Sequence, residues 1–553
     1  MEELKRIFEK HGIKVDDSDF STPPDPKMGD MSCTIAFKMK GNPKENAEKI
    51  AEKIKPAGII KKVRTIGPYI NFFLDMNKYS EGIIKEVLRK KDRFGSSCES
   101  RKFLIDTFQP NTHKVFHIGH LRMAVFGESI RRILEFNGNK TTALSYMGDT
   151  GAHISKWLWY YANFYKGKLP KENFSRWAGE IYAKATQKLM ENDDYKNEIE
   201  KIQVKLESGD KKLNELWKKT RELCLNDFWR IKKELDVHLD GNIYESEVEK
   251  NGKKIVMDLL KKGTAKESDG AVIMDLKPYN LGVFILLKSS GASLYATKDL
   301  GLADLKAKKY DYDVSLHIVA SEQDFYFQQL FKTLELIKHK SAGKNVHVSF
   351  GLVMLEEGKM SSRLGNIVIY DDLKEKMMET AVKEIKKRNK NISDKKAKDT
   401  AEKIVFSAMK FGMLKVESNK RIVFNMEKML DFEGETGPYL QYSAVRAKKI
   451  LAKAKPSKAP EKLEISDETE SNLVKKINEL PAVVSEAGKK YKPNLIANYT
   501  FELAKSFNEF YVKCPVIKAE KKYKATRISL VKAFLTAITN CLYLLGIEVP
   551  EQM

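Results

Sequence analysis

Four residues within seven positions, Lys114, His117, Gly119 and His120, stand where a strand-like run gives way to a helix-like one. Upstream, KFLIDTF from Lys102 is apolar and β-branched around Asp106 and reads as a buried strand. Pro110 and Asn111 form a loop, and a helix is expected from about Ile118 to Asn137, closed by Gly138 just past its end. A helix N-terminus presents free N–H groups and a partial positive charge, so it draws anions. Two imidazoles and an ammonium at that end would make a polyphosphate site, and Gly119 would let a base or ribose approach the backbone. Taken alone, the stretch would equally suit a strand–helix turn carrying two surface histidines.

At 553 residues the chain is long enough for several domains with large cores. Its 42% hydrophobic and 32% charged residues suit a soluble globular protein. No run of eighteen apolar residues reads as a membrane span, and MEELKRIFEKHGI patterns as an amphipathic helix rather than a signal peptide. A cytoplasmic location without membrane contact is therefore expected. Cys33, Cys98, Cys224, Cys514 and Cys541 are scattered with no CxxC, which argues against a disulfide framework and against a structural zinc site. The net charge of +23, from 99 Lys+Arg against 76 Asp+Glu, suits a polyanionic partner whose binding weakens with salt. A lysine-rich solvated surface would give the same excess with no partner.

Residues 1 to about 100 read as a small α/β domain: a first helix to Gly12, a Pro-rich loop, helical spacing from Pro43 to Ile54, and alternating strands about Gly67-Pro68. From 101 to about 375 strands and helices alternate as in a doubly wound parallel sheet. Its second strand is Thr141 to Tyr146, ending in the glycine loop Gly148-Asp149-Thr150-Gly151. A helical insertion is expected at about 160–235 and one rich in short strands at about 242–290. Further strands are expected from Ser315 to Ala320 and from Val348 to Leu355. Residues 376–553 pattern as almost wholly helical.

PNTHKVFHIGH resembles the HIGH signature of class I aminoacyl-tRNA synthetases, and Gly358-Lys359-Met360-Ser361-Ser362-Arg363, about 240 residues on, resembles their KMSKS loop. The fold this implies is α/β: a Rossmann-type catalytic domain with insertions, an N-terminal α/β domain and a C-terminal all-α bundle. GDMSCTIAF with GPYINFF resembles the additional N-terminal domain of arginyl-tRNA synthetases, which would place Tyr69 and Asn71 near the tRNA D-loop, one to stack on a base and one to hydrogen-bond it. Gly437 to Arg446, GPYLQYSAVR, resembles the start of the DALR-type anticodon-binding bundle. Tyr439, Tyr442 and Tyr511 suit stacking on anticodon bases, although the same aromatics would also serve a bundle core. The ending GIEVPEQM resembles the family's, which puts Met553 close to the anticodon.

Arginine offers a planar guanidinium with five donors, so a pocket that reads it needs rigid carboxylates and neutral acceptors. Asp106, Asn111, Tyr295, Asp299 and Gln323 fall at strand ends or helix starts, and Tyr295 and Asp299, four apart, would share a helical face. Their order and spacing match the arginyl-tRNA synthetase pattern. The resemblance implies that Asn111 and Asp106 hold the amino-acid end and that Tyr295, Asp299 and Gln323 hold the side chain. Asp106 could instead serve the guanidinium. A small nucleotidyltransferase would be far shorter, a cysteinyl enzyme would need zinc-ligand cysteines, and a non-catalytic RNA-binding relative would leave the histidines and pocket residues without a role.

The implied activity is that of an arginine–tRNA ligase. It activates arginine with ATP to arginyl-adenylate, with tRNA bound, and transfers it to the terminal ribose of tRNA(Arg). ATP contacts are implied for His117, Gly119, His120, Met354, Lys359, Met360 and Ser361. Mg²⁺ is expected to accompany ATP without a protein metal cage, and the protein is expected to be a monomer. The second lysine of KMSKS is replaced by Ser362. Arginyl enzymes that lack it usually carry a lysine shortly before HIGH, and Lys114 occupies that place. Lys114→Ala is therefore expected to slow adenylate formation by about two orders of magnitude or more, measured by single-turnover kinetics, while tRNA affinity stays nearly unchanged.

Overall fold

Leu4 and Phe8 lie one turn apart on the helix Glu2–Lys10, and both are fully buried. Phe8 meets Phe20 and Phe72 edge-on at 5.8 and 5.9 Å. These contacts seat the helix on an antiparallel sheet of β1 (Phe20–Ser21), β2 (Met31–Cys33), β3 (Ile60–Ile66) and β4 (Tyr69–Leu74), ordered β1-β2-β4-β3. The computed structural model describes residues 2–16, 19–21, 23, 25–165, 167–354, 367–431, 433–454 and 462–553. They form two compact units. The first comprises Met1–Gly95, Ser443–Val484 and Tyr499–Cys541, so the N-terminal sheet shares a unit with much of the C-terminal helical region. Lys475 Nζ pairs with Asp30 at 2.6 Å, and the Asn478 amide donates to the Tyr79 hydroxyl at 2.8 Å. Phe507 and Phe534 stack at 3.8 Å within the helices. The last helix, Lys521–Leu544, is long and apolar enough to cross a membrane by length and composition, but 72% of its apolar window is buried inside the protein, as in a core helix.

The second unit comprises Ser96–Tyr442, Ser485–Asn498 and Leu542–Met553. Its strands include β5 (Lys102–Asp106), β6 (Lys140–Met147), β7 (Gly241–Tyr244), β8 (Lys266–Ser268), β9 (Ala271–Asp275), β10 (Val283–Leu287), β11 (Val314–Ala320) and β12 (Asn345–Phe350). Five of them form a parallel sheet ordered β12-β11-β5-β6-β7. The order reverses between β5 and β11, and in such sheets ligands bind at the carboxyl ends of the strands flanking that point. The register there pairs Asp106 with His317. The helix Ile118–Phe136 follows β5.

Three helices, Phe174–Leu189, Asp194–Glu207 and Lys211–Glu234, occupy the expected helical insertion. Of the region expected to hold short strands, 245–261 is helical instead, because buried Val248, Gly252, Val256 and Leu259 recur at helical spacing. The short strands that follow, β8 to β10, pair antiparallel. The last expected strand stops at Phe350, and Val353–Met354 pairs with Ile422–Val423 rather than with the large sheet.

The helices Glu245–Lys261 and Tyr295–Lys309 cross with almost no space between backbones. A Cβ on Gly252 would stand 2.0 Å from the Thr297 carbonyl oxygen, and one on Gly301 would stand 2.3 Å from that of Val248. This crossing brings Glu245 at the start of one helix against the face carrying Lys298 on the other. Gly252→Ala is expected to cost about 1–3 kcal/mol through overpacking, read as a lower midpoint in urea denaturation.

Candidate active site

Between β5 and β11 lies a cavity of about 300 Å³, lined by Asp106, Asn111, His117, Gly119, His120, Glu245, Tyr295, Asp299, Lys306, Tyr312, His317 and Gln323, among others. The five candidate arginine residues and the HIGH turn thus share one site. A single stripe of the helix Tyr295–Lys309 supplies Tyr295, Asp299, Leu302 and Lys306, the helical spacing that turns side chains one way. Tyr295 is 59% exposed, whereas Asp106, Glu245 and Lys306 are buried.

The HIGH turn fixes its own tautomers. His117 Nδ1 accepts the Gly119 N–H at 3.0 Å, and His120 Nδ1 accepts the His117 N–H at 3.3 Å. In the neutral ring the proton is then on Nε2 of each. Burial, with Lys114 adding to it, pushes His117 down to about 4. Burial, then His117 and Lys114, holds His120 well below its ordinary value. Both rings are therefore uncharged at neutral pH and offer Nε2–H donors, stacked 3.9 Å apart. Gly119 is required because the His117 ring folds over it: a Cβ there would lie 2.9 Å from His117 Cε1.

The loop before the turn is held from two sides. A Cβ on Gly148 would fall 2.1 Å from Asn111 Oδ1, and Thr112 N–H donates to the Gly148 carbonyl at 3.0 Å. His113, at φ 60°, places Nε2 at 2.8 Å from Thr220 Oγ1, and its N–H donates to Cys224 Sγ at 3.3 Å. Both partners belong to the insertion helix Lys211–Glu234. Lys114 Nζ stands 5.3 Å from the Tyr182 ring centroid. Asp149 in the glycine loop accepts from Arg221 at 3.0 Å and from the Ser246 backbone and hydroxyl at 2.9 and 2.7 Å.

Three carboxylates face the cavity, and they are balanced differently. Asp106 Oδ2 is paired with Lys306 and, at 3.0 Å, with His317 Nδ1. Burial would raise its pKa, but Lys306 and His317 outweigh burial and lower it. Glu245 is paired with Lys298 at 2.5 Å, and burial, against the pull of Lys298, pushes it up to about 7. Burial also works against the Lys298 charge, yet Glu245 holds that lysine above its ordinary value. Asp299 has no ion pair among the described residues; it accepts the Tyr326 hydroxyl at 2.5 Å, and burial raises it.

A model of the "tRNA synthetases class I (R), catalytic domain" matches residues 83–426, well over half of the chain. Models of the arginyl-tRNA synthetase N-terminal domain and of the DALR anticodon-binding domain match 1–74 and 440–553. The arginine–tRNA ligase of Clostridium perfringens is 35% identical over 540 residues, covering 96% of this chain and 95% of the relative. That of Treponema denticola is 33% identical over the full length of both chains. The solved Thermus thermophilus arginyl-tRNA synthetase superposes with a TM-score of 0.83 at 25% identity, covering 100% of this chain and 99% of that one. The chain belongs to the arginyl-tRNA synthetases.

Of this synthetase's expected ATP residues, Lys359, Met360 and Ser361 lie outside the described residues, as do Ser362 and Arg363. Met354 is described and does not line the cavity, whereas its neighbours Leu352 and Val353 do. The segments on either side of 355–366 are tied to the HIGH helix. Arg122, fully buried, donates to the carbonyls of Gly351 at 2.5 Å, Lys420 at 3.0 Å and Ser418 at 3.2 Å. Ile118 N–H donates to the Val368 carbonyl, and Tyr370 N–H to that of Phe116. Burial without a carboxylate among these partners pushes Arg122 down to about 10.

The residues expected to meet tRNA are placed unequally. Tyr69 is 43% exposed and packs edge-on against exposed Phe37 at 5.4 Å. Asn71 is only 2% exposed, less accessible than its expected role implies: it alternates with the core residues Ile70 and Phe72, and on its own face a Cβ on Gly29 would stand 3.3 Å from its Cβ. Tyr442 is exposed and Tyr439 half-buried. Tyr511 is exposed under the Arg446 guanidinium, 4.6 Å from its ring centroid, and Met553 is half-buried. Sequence reasoning passed over Glu245, Lys298, Lys306, His317, Tyr326 and Arg122. For Lys306 a signal existed: it falls two helical turns after Asp299.

Proposed function

We propose that the cavity binds arginine with its guanidinium on Asp299 and Tyr295 and its amino-acid end toward Asn111, beside ATP held at the HIGH turn. As an arginyl-tRNA synthetase, the chain charges tRNA with arginine at the expense of ATP. The observation that carries the site reading is the charge balance: Asp106 and Glu245 each have a lysine, while among the described residues Asp299 has only the Tyr326 phenol. A buried carboxylate so placed favours one cation, and a guanidinium can meet it through two parallel hydrogen bonds. Asp106 belongs to the same end, because it is close enough to Asp299 to raise it. Gln323, on the cavity rim, is the remaining acceptor for the side chain.

In the first step an arginine carboxylate oxygen attacks the α-phosphorus of ATP in line, and the bond to the pyrophosphate oxygen breaks. Positioning and charge compensation supply the rate, with no covalent enzyme intermediate. The Nε2–H groups of His117 and His120 donate to phosphate oxygens as charge builds, and Lys114 and Lys359 add positive charge. Mg²⁺ would arrive on the phosphates of ATP; neutral imidazole N–H donors complement the phosphate oxygens rather than ligate the ion. In the second step a terminal ribose hydroxyl of tRNA(Arg) attacks the adenylate carbonyl and AMP leaves. Tyr69 with Phe37, and Tyr439, Tyr442 and Tyr511, are the surfaces for splayed tRNA bases. The reading includes residues 1–100, 101–375 and 376–553 as tRNA-gripping, catalytic and anticodon-reading regions of a cytoplasmic monomer.

ATP–pyrophosphate exchange with each amino acid, with and without tRNA, tests the assignment. Exchange with arginine alone, and only when tRNA is present, is expected. No exchange with any amino acid would favour an RNA-binding relative without catalysis.

A further inference from the structure

Behind the cavity, Lys306 is 2% exposed and Asp106 is 3% exposed. The Lys306 ammonium meets Asp106 Oδ2 and Ser315 Oγ, the latter at 3.1 Å. His317 Nδ1 completes the grip on the same Oδ2. The other oxygen, Oδ1, is buried and takes no hydrogen bond from a described residue. Asp106 lines the cavity together with Asp299. One oxygen of this carboxylate is thus spent on the scaffold, and the other has no partner beside the place where a guanidinium would lie.

We propose that Lys306 is a specificity-positioning residue: from behind the pocket it clamps one oxygen of Asp106 and leaves the other as a directional acceptor for one edge of arginine's guanidinium. The proposal rests on the assignment of the cavity to arginine. Lys306 also cancels the Asp106 charge, so the substrate end of the cavity is left with the single negative charge of Asp299, matching one guanidinium. Without that cancellation two carboxylates would face each other in a buried space, which favours protonation of one of them. The titratable groups facing Asp106 are Lys306 and Asp299 from the helix, His317 from β11, Tyr312 from the loop before it and Tyr146 from β6. Of these, Lys306 and His317 favour the ionised carboxylate.

Steady-state ATP–pyrophosphate exchange in the full-length protein with tRNA tests this. Lys306→Met is expected to raise the KM for arginine about tenfold or more, with kcat and the KM for ATP changed by no more than about twofold. Its arginine KM should also climb more steeply than the wild type's as pH is lowered, because burial raises the Asp106 carboxyl and the Lys306 charge that opposes it is gone. Lys306→Arg should restore both values. The double variant Asp106→Asn with Lys306→Met removes both charges together, so it should keep the raised KM and lose the added pH dependence. An unchanged arginine KM and pH profile in a folded Lys306→Met would overturn the proposal. So would equal losses toward arginine and ATP that Lys306→Arg does not rescue. Wild-type protein inactive with arginine would instead overturn the assignment of the cavity, a result distinct from either.

Discussion

A carboxylate removed from water must be balanced by a cation or by several donors, or it takes up a proton. The cavity at the switch point holds three, and the chain itself supplies lysines to two, Asp106 and Glu245. Among the described residues Asp299 is left with the Tyr326 hydroxyl. On the proposed reading that imbalance gives the site its selectivity, because a neutral side chain would leave Asp299 unsatisfied and a compact ammonium could not engage a planar fork of acceptors. Sites that hydrogen-bond a substrate group reject analogues lacking it by about 10⁴–10⁵.

Much of the surrounding structure serves to hold those charges in register. The Gly252–Gly301 crossing lets Glu245 reach Lys298. The pairing of β5 with β11 sets His317 opposite Asp106. The insertion helix Lys211–Glu234 takes part through Thr220 and Cys224, which grip His113 and so fix the loop carrying Asn111 and Lys114. Arg122 does the same at the far end of the HIGH turn, gathering backbone carbonyls from two separate segments. The proposed ATP and arginine sites thereby rest on elements that share buried polar contacts.

The parts legible in the sequence were those whose meaning is local. Asp106, Asn111, His117, Gly119 and His120 sit within fifteen residues of one another, and strand, turn and helix signals all bracket them. Tyr295 and Asp299 declare themselves by a four-residue spacing. Lys298 and Arg122 do not, because a lysine or arginine on a helix reads as solvated until the fold shows what lies opposite. The helix 245–261 is hard to tell from strands in the sequence because short strands adjoin both its ends and Gly252 lowers its helix propensity. Asn71 alternates correctly for a strand, but the close approach of Gly29 that helps cover its face comes from a distant part of the chain and leaves no mark in the local spacing.

The charge left on Asp299 is the central element of the site. Replacing it by asparagine keeps its size and removes its charge, and the KM for arginine in tRNA-supported exchange reads the consequence directly. With Asp299 as the guanidinium's counter-charge, Asp299→Asn raises that KM about a hundredfold or more while the KM for ATP stays near the wild type's. An arginine KM unchanged by the substitution would show that the substrate's charge is matched elsewhere and would contradict the assignment.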